Sequence, residues 1–276
     1  MLAPIFLETE VLFMNLNESG LISLLIGKIS SEPLAYVLLL IGYVIVMAAG
    51  YLLGSLNSAI IVSRALYKDD IRKYGSGNAG LTNMHRTFGM KAAGFTLLGD
   101  MLKTVLAIVV AGLLFGFGYI RGASVCDACY IAALFTVLGH IFPVYYKFKG
   151  GKGVLVTATA VLVLAPIIFL ILFLVFVLVV YLSKYVSLGS VSVAMLFPVA
   201  LRGYFKVTFA GAPLPGLVAL CSILLALLIV WCHRGNLERI MNQTERKLSF
   251  KKKAEKSADI EEDTGKETDK ETDTDA

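Results

Sequence analysis

The sequence is short of charge. Only 16% of its 276 residues are Asp, Glu, Lys or Arg, against about 25% in an ordinary soluble domain. Histidine is scarcer still, with three residues, and tryptophan occurs once. So little charge excludes a soluble globular enzyme, and the apolar content excludes a chain disordered throughout. The four cysteines supply one close pair, Cys126 and Cys129, with no second pair and no histidine at a zinc-binding spacing. No metal centre and no cofactor is therefore expected. The N-terminal stretch MLAPIFLETEVLFMNLNESG lacks the positive segment of a secretory signal and carries Glu8, Glu10 and Glu18 instead.

What is present is apolar. Hydrophobic residues make up 57% of the chain and the mean hydropathy is +0.78. Counting glycine and leaving out tyrosine, the apolar share is roughly 62%, where a soluble domain has about 45–50%. The composition predicts an all-α integral membrane protein, in which lipid covers the apolar surface. A helix needs about 20 mostly apolar residues to cross the hydrocarbon. Segments 34–53, 92–119, 125–146, 186–201 and 214–231 meet that need, and 154–181 is a long uncharged stretch interrupted by Pro166. Read as one tilted helix, 154–181 gives six spans; read as two helices turning at Pro166, it gives seven.

Loop charge favours seven. With a turn at Pro166, one side collects Arg64, Lys68, Arg72, Lys73, Arg86, Lys91, Lys147, Lys149, Lys152, Lys184, Arg234 and Arg239. The other keeps only Arg121, Arg202 and Lys206, with Lys28 upstream of the first span. The positive-inside rule then puts the N-terminus outside and the C-terminus in the cytoplasm. Three regions are expected: an N-terminal extension (1–33), a membrane-embedded domain (34–249) and a disordered charged cytoplasmic tail (250–276). From Lys251 onward the tail has no aromatic residue and mixes both signs of charge. The basic residues lie in short loops and form no extended face, so nucleic acid is not an expected partner; anionic headgroups or anionic substrates are.

The residues with chemical potential lie in connections that the seven-span reading places on one face. The string GSGNAGLTNMHR, from Gly75 to Arg86, has three glycines in six residues. Its backbone N–H groups can converge on an anion; Ser76, Asn78, Thr82 and Asn83 add neutral donors, and Arg86 can fork onto phosphate. An ordinary polar turn has a similar composition. The string GHIFPVYYKFKGGKGV, from Gly139 to Val154, runs through Gly150, Gly151, Lys152 and Gly153 into an apolar helix, whose N-terminus is a ready phosphate site. It is not a Walker A sequence, so ATP is not inferred. In HRGNLER, His233 and Asn236 stand three apart and share a face if the last helix continues through them. Asp100 and Lys103 are also three apart and are expected to neutralise each other.

Together these strings closely resemble the bacterial acyl-phosphate:glycerol-3-phosphate acyltransferase (PlsY) family, from about Gly50 to Arg246. The resemblance implies a multi-pass protein of the bacterial inner membrane, monomeric, with its active site at the cytoplasmic face. It implies acyl transfer from acyl phosphate to the sn-1 hydroxyl of glycerol 3-phosphate, giving lysophosphatidic acid and phosphate. By the same resemblance, Ser76, Gly77, Arg86 and Lys152 bind phosphate, and His233 and Asn236 belong to the catalytic centre. Gly80 and the remaining loop residues named above join the substrate-binding set. A serine of the SLGS segment also belongs to the site, Ser190 in first place and Ser187 in second. The family usually has Pro-Gly-Ala-Thr-Asn where this chain has Ala79-Gly80-Leu81-Thr82-Asn83. The proton acceptor is left open between His233 and the donor's own phosphate.

Two other readings give different expectations. An organophosphate transporter predicts glycine-broken spans repeated in two halves, and no such repeat is visible. A soluble-type acyltransferase predicts His-x4-Asp, but His85, His140 and His233 are followed at that spacing by Met90, Tyr145 and Glu238.

Overall fold

The computed structural model describes residues 20–120, 123–124, 126–208 and 214–248. The first nineteen residues, Arg121 and the charged tail expected to be disordered lie outside the described residues. Ten α-helices carry the described chain: α1 (Gly20–Ile26), α2 (Glu32–Ser55), α3 (Ser58–Tyr67), α4 (Leu81–Phe115), α5 (Asp127–Ile141), α6 (Val154–Leu164), α7 (Pro166–Ser183), α8 (Val186–Thr208), α9 (Gly216–Cys232) and α10 (Arg234–Met241). A minimal antiparallel pair, Tyr119–Ile120 with Ala123–Ser124, links α4 to α5.

The all-helical membrane architecture follows from the composition. Five helical stretches are long and apolar enough to cross a membrane, or six if the bent α9–α10 pair counts as one span. The seven-span expectation meets a difference at α6. The chain does break at Ala165–Pro166, as the proline suggested, but α6 has only 11 residues. At 1.5 Å per residue it is about 16 Å long, short of the roughly 30 Å hydrocarbon core. The segment expected as an extension is partly structured too: α1 packs against α4, with Ile22 buried.

α5 is the central pillar. It packs against α2, α4, α6 and α9, and 67% of its most apolar window is buried, against 17% for α7. Small residues let it approach α2 closely. A Cβ added at Gly54 would stand 2.2 Å from the Thr136 carbonyl oxygen, and one at Gly139 would stand 2.2 Å from that of Tyr51. Close backbone approach at small residues is how helices associate where lipid removes the hydrophobic drive. The α2–α5 pair is also tied at its site end: Tyr51 Oη donates to Phe142 O at 2.8 Å, and Val144 N donates to Ser55 Oγ at 3.3 Å.

α4 is kinked. Gly89 has φ 82° and ψ −170°, which a side chain would strain, so its first turns leave the direction of the long span. That bend lets Leu81–Phe88 lie across the end of the bundle, stacked through Phe88 on Tyr67 of α3.

Candidate active site

The Gly75–Arg86 loop sits on a small apolar cluster of Ala59, Ile60, Ile71, Ala79, Met84 and Ala92, separate from the main core. Asn57 caps α3 through Ile60 N at 3.1 Å and reaches Ala79 O at 3.4 Å. Asn83, expected to donate to substrate, is engaged inside the loop. Its amide nitrogen donates to Tyr74 O at 2.9 Å and Asn78 O at 3.1 Å, and its oxygen accepts from Ser76 N at 3.2 Å. The N–H groups of Gly77 and Gly80 bond to Tyr74 O and Asn78 O. Asn83 therefore shapes the loop, and it lines the cavity described below together with Asn78, Thr82 and Arg86.

The second loop is held from both ends. Gly150 N and Gly151 N donate to the Ile141 and His140 carbonyls at 3.1 Å each, closing the C-terminal end of α5. A Cβ at Gly150 would meet His140 O at 2.0 Å, and one at Gly151 would meet His140 Nε2 at 2.2 Å. These two glycines admit close packing; they do not present free N–H groups to an anion, as their sequence context suggested. Gly153, at φ 79°, turns the chain into α6. Arg72 fastens the two loops together. It grips Asp70 through two hydrogen bonds of 2.9 and 2.7 Å and donates to Tyr146 O at 3.0 Å and Lys149 O at 3.1 Å.

His233 ends α9, and the chain bends 51° there before α10. The last helix thus does not continue through His233, yet His233 and Asn236 still meet at the same cavity because α10 restarts at once. His233 Nδ1 lies 2.8 Å from Ile229 O. A carbonyl only accepts, so Nδ1 carries the proton and the neutral ring keeps Nε2 as acceptor. Asn236 is the hub. Its oxygen accepts from Lys152 Nζ, and its nitrogen donates to Ser187 Oγ at 3.0 Å and Glu245 Oε1 at 2.6 Å. Ser187 also donates to Glu245 Oε1 at 2.6 Å, and Arg239 pairs with Glu245 Oε2 at 2.7 Å. Burial pushes the Lys152 ammonium below lysine's usual range, with Glu245 opposing and Arg239 assisting. Ser190, two percent exposed, donates to Val186 O at 2.9 Å and stands where the polar cavity meets an apolar one.

That polar cavity has a volume of about 490 Å³, within the usual range for small-molecule sites. The N-terminal turns of α4, α6 and α8 all open on it, at Leu81–Thr82, Val154–Leu155 and Val186–Ser187. Their positive dipole ends add to Arg86, Lys152, Arg239 and Arg246, making an anion trap. An apolar cavity of about 450 Å³ adjoins it, sharing Leu81, Thr82, Val154, Leu155, Val186 and Ser190 and lying between α4, α6, α7, α8 and α9.

Gly77, Gly150 and Gly151 do not line the polar cavity; Ser76, Gly80 and Gly153 do. Sequence reasoning gave no role there to Asp100 and His140, which form the floor with Lys103 behind them. Lys103 Nζ is 2.8 Å from Asp100 Oδ1, 2.9 Å from His140 Nδ1 and 3.1 Å from Gly54 O. The i, i+3 spacing of Asp100 and Lys103 signalled the pair; nothing local signalled His140, thirty-seven residues away. Arg239 of α10 lines the cavity as well, and so do Glu245 and Arg246, whose segment folds back after α10 so that Leu248 N donates to Lys184 O at 2.8 Å. Among the described residues no group of three or more His, Cys, Asp or Glu could hold a metal ion.

Comparison with known proteins agrees with this arrangement. The family profile described as glycerol-3-phosphate acyltransferase matches residues 44–243. A glycerol-3-phosphate acyltransferase of Clostridioides difficile (strain 630) is 37% identical over 210 residues, covering 76% of this chain and 97% of that one. One from Bacillus subtilis (strain 168) is 36% identical over 212 residues and is covered completely, against 77% of this chain. The crystal structure of PlsY (YgiH), an integral membrane glycerol 3-phosphate acyltransferase, in its glycerol 3-phosphate form superposes with a TM-score of 0.64 at 30% identity. The superposition covers 75% of this chain and 96% of that one. Its lysophosphatidic acid form gives a TM-score of 0.62 at 29% identity. A multi-pass bundle with a cationic cavity opening on an apolar one, matched over most of its length by these proteins, identifies the chain as a member of the glycerol-3-phosphate acyltransferase (PlsY) family.

Proposed function

We propose that the protein transfers an acyl group from acyl phosphate to the sn-1 hydroxyl of glycerol 3-phosphate, releasing lysophosphatidic acid and inorganic phosphate. The observation that carries this reading is the adjacency of the two cavities: a cationic chamber suited to phosphorylated headgroups shares six lining residues with an apolar one suited to an acyl chain. A seven-segment arrangement with α6 as a short member, the N-terminus outside and the C-terminus cytoplasmic, accounts best for the loop charges, and puts the site at the cytoplasmic face of the bacterial inner membrane. The working unit in this reading is a monomer, as the family resemblance implies.

In the reaction, the hydroxyl oxygen attacks the acyl carbonyl carbon, the bond from carbonyl carbon to phosphate oxygen breaks, and phosphate leaves with the electron pair. A mixed anhydride is already activated, so the main contribution is alignment, which lowers barriers by about 7–11 kcal/mol when geometry is right. Lys152, Arg86 and Arg239 neutralise two phosphates that would otherwise repel each other and stabilise charge on the departing one. His233 Nε2 accepts the hydrogen bond of the attacking hydroxyl, and Asn236 and Ser187 orient the acceptor substrate. The departing phosphate is basic enough to keep the proton finally. Ser190, at the junction of the cavities, supports the reacting carbonyl.

Purified protein offered labelled glycerol 3-phosphate with palmitoyl phosphate, palmitoyl-CoA or palmitoyl-acyl-carrier protein in separate reactions tests the reading. Labelled lysophosphatidic acid with the acyl phosphate alone supports it; product only with either thioester overturns the donor assignment. Uptake into vesicles without lipid product would instead indicate transport.

A further inference from the structure

Far from the cavity, at the opposite end of α5, two cysteines occupy positions that the acyl-transfer reading does not use. Cys126 is the N-cap of α5, with extended backbone at φ −74° and ψ 109°, and Cys129 is its third helical residue. An N-cap side chain faces the third residue of its helix, as a capping serine or threonine does. Cys129 N donates to Cys126 O at 3.1 Å, closing the turn that brings the two residues together at the start of the helix. Both cysteines are free thiols; Cys126 is half-buried and Cys129 is fully buried. The hairpin that ends at Ser124 fixes this geometry, with Ser124 Oγ donating to Phe117 O at 2.7 Å and accepting from Cys126 N at 3.2 Å. Cys221 and Cys232 are also free thiols and lie on α9 and at its end.

We infer that Cys126 and Cys129 form a reversible dithiol–disulfide site that exchanges with low-molecular-weight disulfides. Cys126 is the attacking group, because it is the more exposed of the two and sits at the N-terminus of α5, where a thiolate is favoured. Its thiolate attacks one sulfur of the incoming disulfide, forming a mixed disulfide and expelling a thiolate. Cys129 then loses its proton and attacks the Cys126 sulfur, expelling the second thiolate. The protein dithiol gives up two electrons and two protons, and the external disulfide is reduced to two thiols. Cys129 Sγ lies 4.0 Å from the Ile108 and Gly116 carbonyl oxygens, so closing the bridge ties the first turn of α5 at its junction with α4. In the proposed orientation this end faces outside, where disulfides persist. The exchange itself does not depend on that orientation or on acyl transfer.

The test uses full-length protein in detergent with Cys221→Ala and Cys232→Ala, equilibrated with oxidised and reduced glutathione at graded ratios, then acid-quenched and analysed by intact mass and thiol alkylation. Loss of two hydrogen masses, protection of Cys126 and Cys129 in step, and full reversal by reduced glutathione are expected. Cys129→Ser should trap glutathione on Cys126, and Cys126→Ser should leave Cys129 unmodified. Two alkylatable thiols after the most oxidising buffer, or glutathione remaining on Cys126 when Cys129 is present, overturn the proposal.

Discussion

Lys152 and Asn236 show how much a single side chain depends on a distant one here. They are eighty-four residues apart, yet the lysine ammonium donates to the asparagine oxygen, and the asparagine amide then fixes Ser187 and Glu245. A charge-assisted hydrogen bond is worth about 1.5–3 kcal/mol. Lys152→Ala is therefore expected to lower kcat/KM for glycerol 3-phosphate by roughly 10- to 150-fold, mainly through KM. His233→Ala should act differently, cutting kcat by about 10²-fold or more with KM little changed, as removal of a proton-handling group does. Steady-state kinetics on folded, purified variants separates the two; wild-type constants in either would refute its assignment. Glu245 adds a pH signature. Burial tends to raise its carboxyl, but hydrogen bonds from Ser187, Asn236 and Arg239 outweigh this and hold it below the usual range. A depressed carboxyl contributes stability that is complete above its unfolded pKa and fades as pH falls through the folded value. Thermal unfolding of wild type and Glu245→Gln should thus differ most near neutral pH and converge in acid; a gap independent of pH would exclude this role.

At the scale of elements, the glycines divide into those that a methyl group would displace and those that it would not. A Cβ at Gly54 meets backbone of α5, with Thr136 O at 2.2 Å and Thr136 C at 2.8 Å, and backbone cannot step aside. Gly54→Ala should force α2 from α5 and lower the unfolding temperature, with overpacking costing about 1–3 kcal/mol. Gly94, inside α4, has nothing within 4 Å of its added Cβ. Gly94→Ala should leave stability unchanged or raise it by up to about 1 kcal/mol, the helix-propensity difference. Parallel melts in the same detergent check the contrast, and equal effects would show that the α2–α5 contact is not tight. Apolar stretches and the break at Pro166 were legible in the sequence because lipid dictates local composition and proline dictates local backbone. So was a short helix ahead of that proline. The bend at His233 was not, since it depends on where the chain must be to meet the cavity, which no local pattern records.

Across the whole molecule, the cavity is a meeting point of loops, with helix N-termini on three sides and a buried Asp100–Lys103–His140 floor. An ion pair in the bundle interior is costly unless its partners are all in place, so the floor also holds the loops that rest on it. The proposed topology is open to direct measurement. In a cysteine-free background, Lys149→Cys and Glu238→Cys should react with an impermeant reagent only from the cytoplasmic side, and Lys206→Cys only from outside. Labelling of Lys149→Cys and Glu238→Cys from opposite sides would separate Lys152 from His233 and dismantle the shared cavity.

The sequence by itself determined the membrane class, the apolar segments and the three polar strings, because each is a local property: hydropathy, glycine content and charge need no partner to be read. It also carried the family, through strings long enough to be distinctive. Only the tertiary structure decided which polar atoms remain for a ligand. Asn83, Gly150 and Gly151 use their hydrogen-bonding groups to build the loops, whereas Glu245, Arg239, Asp100 and His140 are brought to the cavity by packing. A hydrogen-bond donor serves either the fold or a substrate according to what lies within about 3 Å of it, and that neighbourhood is assembled from residues far apart in the chain.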